Sequence, residues 1–154
     1  MKPTRWAIAC FLIVSAGACS GDDDGSVPEP VTKADVIERV DEICRRGQGQ
    51  IEGLEAPKSL EASADFLERV LPVVRENLDR IRAIGQIPAE DRQVFLEWLQ
   101  AREGIVQTTQ EMIAAAEAKD QAAFNRLAAE QDQLDLRADE AAREYGFKVC
   151  GQPT

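Results

Sequence analysis

The chain has 154 residues, enough for one domain, and carries 28 acidic against 18 basic side chains, a net charge of −10. This balance disfavours nucleic acid as a partner, because nucleic-acid binding needs clustered lysine and arginine. The sequence contains no histidine. A histidine-dependent catalytic triad, a histidine-ligated zinc site and a histidine-ligated haem are therefore excluded.

Residues 1–18 have the three parts of a secretory signal. Lys2 and Arg5 precede an apolar run over 6–14, and small residues follow that run. The run is shorter than the ~20 residues that a membrane-spanning helix needs. We therefore expect an export signal that is removed, with a retained membrane helix as the alternative.

The end of this signal resembles the lipobox of bacterial lipoproteins. The match is Ala16-Gly17-Ala18-Cys19, with alanine where leucine is usual at the first position. The resemblance implies cleavage before Cys19, a diacylglyceryl group on its thiol, and an anchor at the outer face of the cell membrane. Secretion after ordinary cleavage near Ala18 is the alternative. Either cleavage removes Lys2 and Arg5, so the net charge changes from −10 to −12.

Residues 19–31 predict a disordered, acidic tether. After the cysteine the chain reads SGDDDGSVPEP, which is too polar and too rich in glycine and proline to bury apolar area. Such a segment suits a link between a lipid and a folded domain, which we place at residues 32–154. The three aspartates at 22–24 favour solvated chain over a calcium site, because calcium needs spaced and ordered ligands.

The four cysteines have different predicted roles. Cys10 lies in the removed signal, and Cys19 would carry the lipid. Export places Cys44 and Cys150 in a compartment where disulfides form, so we expect a bond between them. Free thiols and an intermolecular pair are the alternatives. Two cysteines are too few for a metal site, and we predict neither a metal nor another cofactor.

From residue 31 onward the spacing of apolar residues predicts helices and no sheet. The first helix is expected after Thr32, which with Asp35 resembles a capping box. A kink or a frayed stretch is expected at 47–49, because glycine weakens a helix. The second helix is expected from the N-cap Ser59 to Gly85, with a bend at its internal proline, residue 72.

Two further helices complete the prediction. The third is expected over 89–118, with Glu90 and Asp91 in a first turn where carboxylates are favourable. The fourth follows an N-cap at Asp120 and ends at Gly146. Its apolar seam has heptad-like spacing. The seam consists of Phe124, Leu127, Gln131, Leu134, Ala138, Ala141 and Tyr145.

Four amphipathic helices with short connections predict an all-α, up-down-up-down bundle. In that topology the start of the first helix and the end of the fourth lie at the same end. The short tail 147–150 can then fold back onto Cys44. The predicted disulfide and the predicted fold are therefore consistent with each other.

Three motifs are distributed along the chain. They are Val40-Asp41-Glu42-Ile43-Cys44, Phe66-Leu67-Glu68-Arg69-Val70-Leu71-Pro72 and Tyr145-Gly146-Phe147-Lys148-Val149-Cys150-Gly151. With the lipobox and the tether they resemble a type of small helical lipoprotein from high-GC Gram-positive bacteria. The likeness covers nearly the whole chain, although Val40 stands where the type has alanine. The resemblance implies an architecture and no activity, so it carries over no catalytic residue.

Two polar residues lie on or beside the apolar stripes, Gln131 in the fourth helix and Asn77 in the second. One interpretation is a buried polar pair that fixes helix register. The other is a polar lining for a small cavity, to which Trp98 would contribute an aromatic wall. Gln131, Asn77 and Trp98 are therefore the candidate ligand-lining residues, and no catalytic residue is predicted.

Three hypotheses about function follow. The favoured one is an exported, lipid-anchored module that binds a small ligand or an envelope protein. The second is a structural or accessory envelope lipoprotein, and the third, an enzyme, is not expected. A cavity lined by the candidate residues favours a ligand, and an exposed apolar patch favours a protein partner. Carboxylates that converge in a cleft with raised pKa values favour an enzyme. The oligomeric state is not predicted.

Overall fold

The computed structural model describes residues 31–151, so the predicted signal, Cys19 and nearly all of the tether lie outside the described residues. It contains four helices and, within those residues, no strand. The helices are α1 (Lys33–Ile51), α2 (Leu60–Arg82), α3 (Arg92–Glu117) and α4 (Gln121–Tyr145). The predicted all-α fold is confirmed. Within residues 31–151 no helix has the length and apolar character that crossing a membrane requires.

Local capping residues begin and end the helices as the sequence predicts. The Thr32 backbone N–H donates to the Asp35 carboxylate at 2.8 Å, and the Asp35 N–H donates back to the Thr32 hydroxyl at 3.2 Å. Ser59 and Asp120 each accept a hydrogen bond from a backbone N–H three residues later, at 3.2 and 2.9 Å. Gly146 ends α4 with φ +104°, a left-handed conformation that glycine adopts without strain.

The predicted fraying at 47–49 is wrong, because α1 continues through the glycines to Ile51, and the alternative of a kink stays a prediction. Gly47 is buried against α2, where a Cβ atom would lie 1.9 Å from the Asn77 side-chain nitrogen. Glycine at this position therefore lets α1 and α2 approach closely. Gly49 has open space around it, so its only local effect is a lower helix propensity.

Two helix boundaries also differ from the prediction. α2 ends at Arg82, and Gly85 adopts φ +72° in the following connection instead of terminating the helix directly. α3 begins at Arg92, so Glu90 and Asp91 precede its first turn. The Asp91 carboxylate makes no cap, because it accepts a hydrogen bond from the Lys33 ammonium of α1 at 2.6 Å. Asp91 therefore connects the start of α1 to the start of α3.

Helix contacts run mainly between successive helices: α1 with α2, α2 with α3, and α3 with α4. In the last pair, the Phe95 and Tyr145 rings lie 5.6 Å apart, whereas the Thr109 hydroxyl donates to the Gln131 amide oxygen at 3.2 Å. Early residues of α3 therefore meet late residues of α4, and the two helices are antiparallel. The complete up-down-up-down topology stays a prediction.

The main core lies at the end where α1 and α3 begin and α4 ends. Four aromatic residues form its centre: Phe95, Trp98, Tyr145 and Phe147. Phe147 lies 4.6 Å from Tyr145 and 4.7 Å from Trp98, measured between ring centroids. Because Phe147 follows α4, the chain after the last helix belongs to the core. A smaller cluster around Met112 and Leu127 packs α3 on α4 further along.

Residues 147–151, which we call the tail, lie between α1 and α4. The predicted Cys44–Cys150 disulfide is present, with the two Cα atoms 5.5 Å apart. On the other side, Gly151 is packed so closely on α4 that a Cβ atom would lie 2.9 Å from that of Ala142. The tail thus occupies the space between α1 and α4.

Asp41 fixes the path of the tail. Its side chain is buried in α1, and its carboxylate accepts backbone N–H groups from three consecutive residues. The distances are 2.9 Å from Lys148, 2.9 Å from Val149 and 3.4 Å from Cys150. Each donor would otherwise be a backbone amide without a partner near the core, which is costly. Asp41 and the disulfide therefore hold the same segment to the same helix.

Candidate functional site

A cleft lies beyond the tail, bordered by α1, α2 and α4 and with the middle of α3 at its base. Its volume is about 390 Å³, within the ~300–1,000 Å³ typical of small-ligand sites. The Cys44–Cys150 bond forms one part of its wall. Ile51, Val74, Leu78 and Ile81 supply apolar surface from α1 and α2. The tail, through Cys150, therefore borders the cleft.

The opposite side of the cleft is charged. Arg102 extends from α3, and Asp132, Asp135 and Asp139 extend from α4. The spacing of three and then four residues places the aspartates on one face of α4. One guanidinium therefore shares the cleft with three carboxylates. Asp132 is exposed, whereas Asp135 and Asp139 are partly buried.

Arg102 is partly buried, yet it makes no hydrogen bond or ion pair with any residue in the described range 31–151. Burial lowers the pKa of its guanidinium, while the charges of Asp135 and Asp139 act in the opposite direction. By contrast, Arg82 on the surface donates to Glu103 at 2.7 Å. None of the Arg102 side-chain nitrogens is both buried and without a partner, so the guanidinium keeps some contact with water and can bind an anionic ligand group through charged hydrogen bonds.

The surroundings of the cleft also shift the pKa of Asp135. Burial raises the pKa of its carboxyl, Arg102 lowers it, and the neighbouring Asp139 and Asp132 raise it further. The carboxyl therefore keeps its proton to a higher pH than an ordinary aspartate does. A cationic ligand group nearby would favour its ionised form.

Asn77 is the predicted ligand-lining residue that lies in this cleft. Its amide nitrogen sits over Gly47, on the wall that faces the charged residues. Gln48 adds a second amide beside it. These two side chains offer hydrogen-bond donors and acceptors to a polar ligand.

The structure does not bring Trp98 and Gln131 to the same place. Trp98 is fully buried in the aromatic core, and its indole N–H has no partner among the described residues. Gln131 pairs with Thr109, a buried residue of α3 that the sequence analysis missed. Thr109 lies eleven residues after Trp98, or about 16 Å along the helix. A single small cavity lined by Trp98, Gln131 and Asn77 is therefore wrong.

Tyr145 also has a buried hydroxyl without a partner among residues 31–151. Burial raises the pKa of Tyr145 to about 12, and the negative charge of Asp91 contributes. The Lys33 ammonium lies 4.9 Å from the centre of its ring. Tyr145 is therefore neutral over the ordinary pH range, as its place in the aromatic core requires.

A second concave surface lies on the outer side of α3 and α4. It encloses about 760 Å³ and is lined by Arg137 and four glutamates, at 97, 103, 140 and 144. Glu103 already accepts a hydrogen bond from Arg82. This groove gathers carboxylates at the surface, where water stabilises them, so the smaller cleft with Arg102 is the stronger candidate.

Within residues 31–151 no three acidic or cysteine side chains are arranged to hold a metal ion. The arrangement instead offers separate positive and negative groups to a ligand.

No protein-family model, curated protein or solved structure matches the chain. The function of the cleft is therefore argued from its own residues.

Proposed function

We propose that the chain is an exported, lipid-anchored helical module that binds a small polar ligand in the cleft. The observation that carries this proposal is that the Arg102 guanidinium, in a cleft of ligand size, pairs with no residue between 31 and 151. The N-terminal sequence supports export and the anchor at Cys19. Polar groups that converge in an otherwise apolar depression are typical of small-molecule sites.

The position of the cleft suits a soluble ligand. The tether would enter α1 at Thr32, whereas the cleft residue Gln48 lies sixteen residues further along that helix. This separation is about 24 Å at the rise of an α-helix. A domain tethered at Thr32 therefore presents the cleft away from its attachment point.

Replacing the lipidated cysteine tests the anchor. We expect Cys19→Ala to move the protein from the membrane fraction to the soluble exported fraction, because the thiol that bears the lipid is lost. Mass spectrometry of the natural protein should find acyl groups on Cys19. Cys10→Ala is the matched control and should stay membrane-bound. Retention of Cys19→Ala in the membrane would contradict the anchor.

A pair of glycine variants tests the cleft. Gly47→Ala forces the Asn77 amide to move, whereas Gly49→Ala adds a methyl group in open space. We expect Gly49→Ala to raise stability by up to about 1 kcal/mol through helix propensity and to bind as the natural protein does. Gly47→Ala should bind more weakly.

The measurement is the thermal unfolding midpoint of the mature protein with a defined library of small amines, carboxylates, sugars and zwitterions. A compound that binds the folded state raises the midpoint. Equal shifts in Gly47→Ala and Gly49→Ala would place the ligand outside the cleft. If no compound of the library raises the midpoint, the accessory role is favoured. In-cell crosslinking to an envelope protein would support that role.

An enzyme is the second candidate, because Asp135 is a carboxyl with a raised pKa in a cleft with two further aspartates. Such a group can donate a proton to a bound substrate. Recovery of the bound compound distinguishes the two functions. An unchanged compound supports binding alone, and a product that disappears in Asp135→Asn supports catalysis.

A further inference from the structure

We infer that the ligand of the cleft is a small zwitterion with an aliphatic body, whose carboxylate binds Arg102 and whose ammonium binds Asp135 and Asp139. This inference rests on the proposed binding function and specifies its ligand class. The zwitterions that fit this description most directly are aliphatic α-amino acids.

A ligand with a single charge pairs with only one of the two kinds of charged side chain in the cleft. A simple carboxylate would gain the Arg102 guanidinium but would meet three aspartates at 132, 135 and 139. A simple amine would gain the aspartates but would meet the unpaired guanidinium. A ligand that carries both groups satisfies both sides and leaves neither facing a like charge.

The relation between Arg102 and Asp135 suits a bridging ligand. The two side chains come from neighbouring helices and line the same cleft, and each affects the pKa of the other. They are nevertheless not in contact, since no ion pair joins them. An α-amino acid carries both a carboxylate and an ammonium, so it offers a partner to each of these two side chains. The planar guanidinium can bind the carboxylate with two parallel hydrogen bonds.

The apolar residues on one wall of the cleft favour an aliphatic side chain on the ligand. Val74, Leu78 and Ile81 of α2 and Ile51 of α1 lie on this wall. Burying an aliphatic side chain against them is favourable, because apolar area is removed from water. Asn77 and Gln48 lie beside these residues and offer amide groups to the polar part of the ligand.

Three probes with one carbon skeleton test the inference. Leucine has both charged groups, 3-methylbutylamine lacks the carboxylate, and 4-methylpentanoate lacks the ammonium. We expect leucine to bind the mature protein about tenfold or more tightly than either analogue, because each analogue loses charged hydrogen bonds. Isothermal titration calorimetry measures the three affinities. An amine or a carboxylate that binds as tightly as leucine would overturn the inference, and so would the absence of binding by all three.

Variants of Arg102 assign the carboxylate contact. Arg102→Met should weaken leucine binding about tenfold or more and leave 3-methylbutylamine unaffected or tighter. Arg102→Lys should recover part of the loss, since it restores the charge without the planar fork. Arg137→Met, which removes an arginine that lines the outer groove, is the matched control and should bind leucine normally. Unchanged leucine affinity in Arg102→Met would refute the assignment.

These outcomes separate the inference from the proposed function. A library compound that is not a zwitterion but loses affinity in Gly47→Ala would refute the ligand class and support binding in the cleft. If leucine binds equally to the natural protein, Arg102→Met and Gly47→Ala, its site lies elsewhere. That result would refute both the ligand class and binding in the cleft.

Discussion

Replacing both bridging cysteines, as Cys44→Ser with Cys150→Ser, is expected to lower the free energy of unfolding by about 4 kcal/mol. The bond joins residues separated by 106 positions. In the chain-entropy model a loop of that length restricts the unfolded state by ~4.7 kcal/mol, and measured values are often smaller. The helices themselves do not depend on the bond, so circular dichroism of the variant should still show a helical domain.

Urea unfolding of the oxidised protein and the double serine variant measures this loss. The natural protein treated with a reductant is the matched control, and its stability should equal that of the double variant. Peptide mapping without reductant should recover Cys44 and Cys150 in one linked pair. An alkylatable thiol at either position, or equal stability before and after reduction, would contradict the prediction.

Most of the helix boundaries were predictable because they depend on neighbouring residues. The caps at Thr32, Ser59 and Asp120 involve hydrogen bonds across three residues, and Gly146 acts through its own φ angle. Such contacts are visible in the sequence. The disulfide between the tail and Cys44 could also be predicted. Export places the domain where disulfides form, and its two cysteines allow only one intramolecular pairing.

The errors have long-range causes. Gly47 lies in a continuous helix instead of a frayed stretch, and its missing side chain accommodates Asn77 from another helix. Asp91 precedes the first turn of α3, in which it was predicted, and its carboxylate pairs with Lys33, fifty-eight residues earlier. Trp98 and Gln131 do not share a cavity, because Gln131 of α4 pairs with Thr109, which lies further along α3 than Trp98. In each case the deciding partner is remote in the sequence.

The cleft could be anticipated only in part. The regular spacing of Asp132, Asp135 and Asp139 is readable in the sequence, but the same spacing is common on solvated helix faces. Arg102 likewise has no local signal that marks it as unpaired. Both become a candidate site only in the folded domain, where the tail that the disulfide and Asp41 hold to α1 borders the cleft.

Asp41→Ala should lower the free energy of unfolding by about 3 kcal/mol. The substitution removes the acceptor of three backbone N–H groups in the tail, at 148, 149 and 150. A hydrogen bond to a charged group contributes about 1.5–3 kcal/mol, and a buried donor without a partner costs about 1–3 kcal/mol. Asp41→Asn keeps one oxygen acceptor and should cost less. Urea unfolding measures both variants.

Asp65→Ala is the matched control, because it removes an exposed aspartate from a helix, and its effect should stay within about 0.5 kcal/mol. An equally small effect of Asp41→Ala would show that the tail does not need the carboxylate. The loss from Asp41→Ala and the loss from removing the disulfide should not add, because both contacts fix the tail to α1. A double-mutant cycle should give a coupling of about 0.5–3 kcal/mol. Since the tail borders the cleft, the combined variant should also bind the ligand of the cleft more weakly.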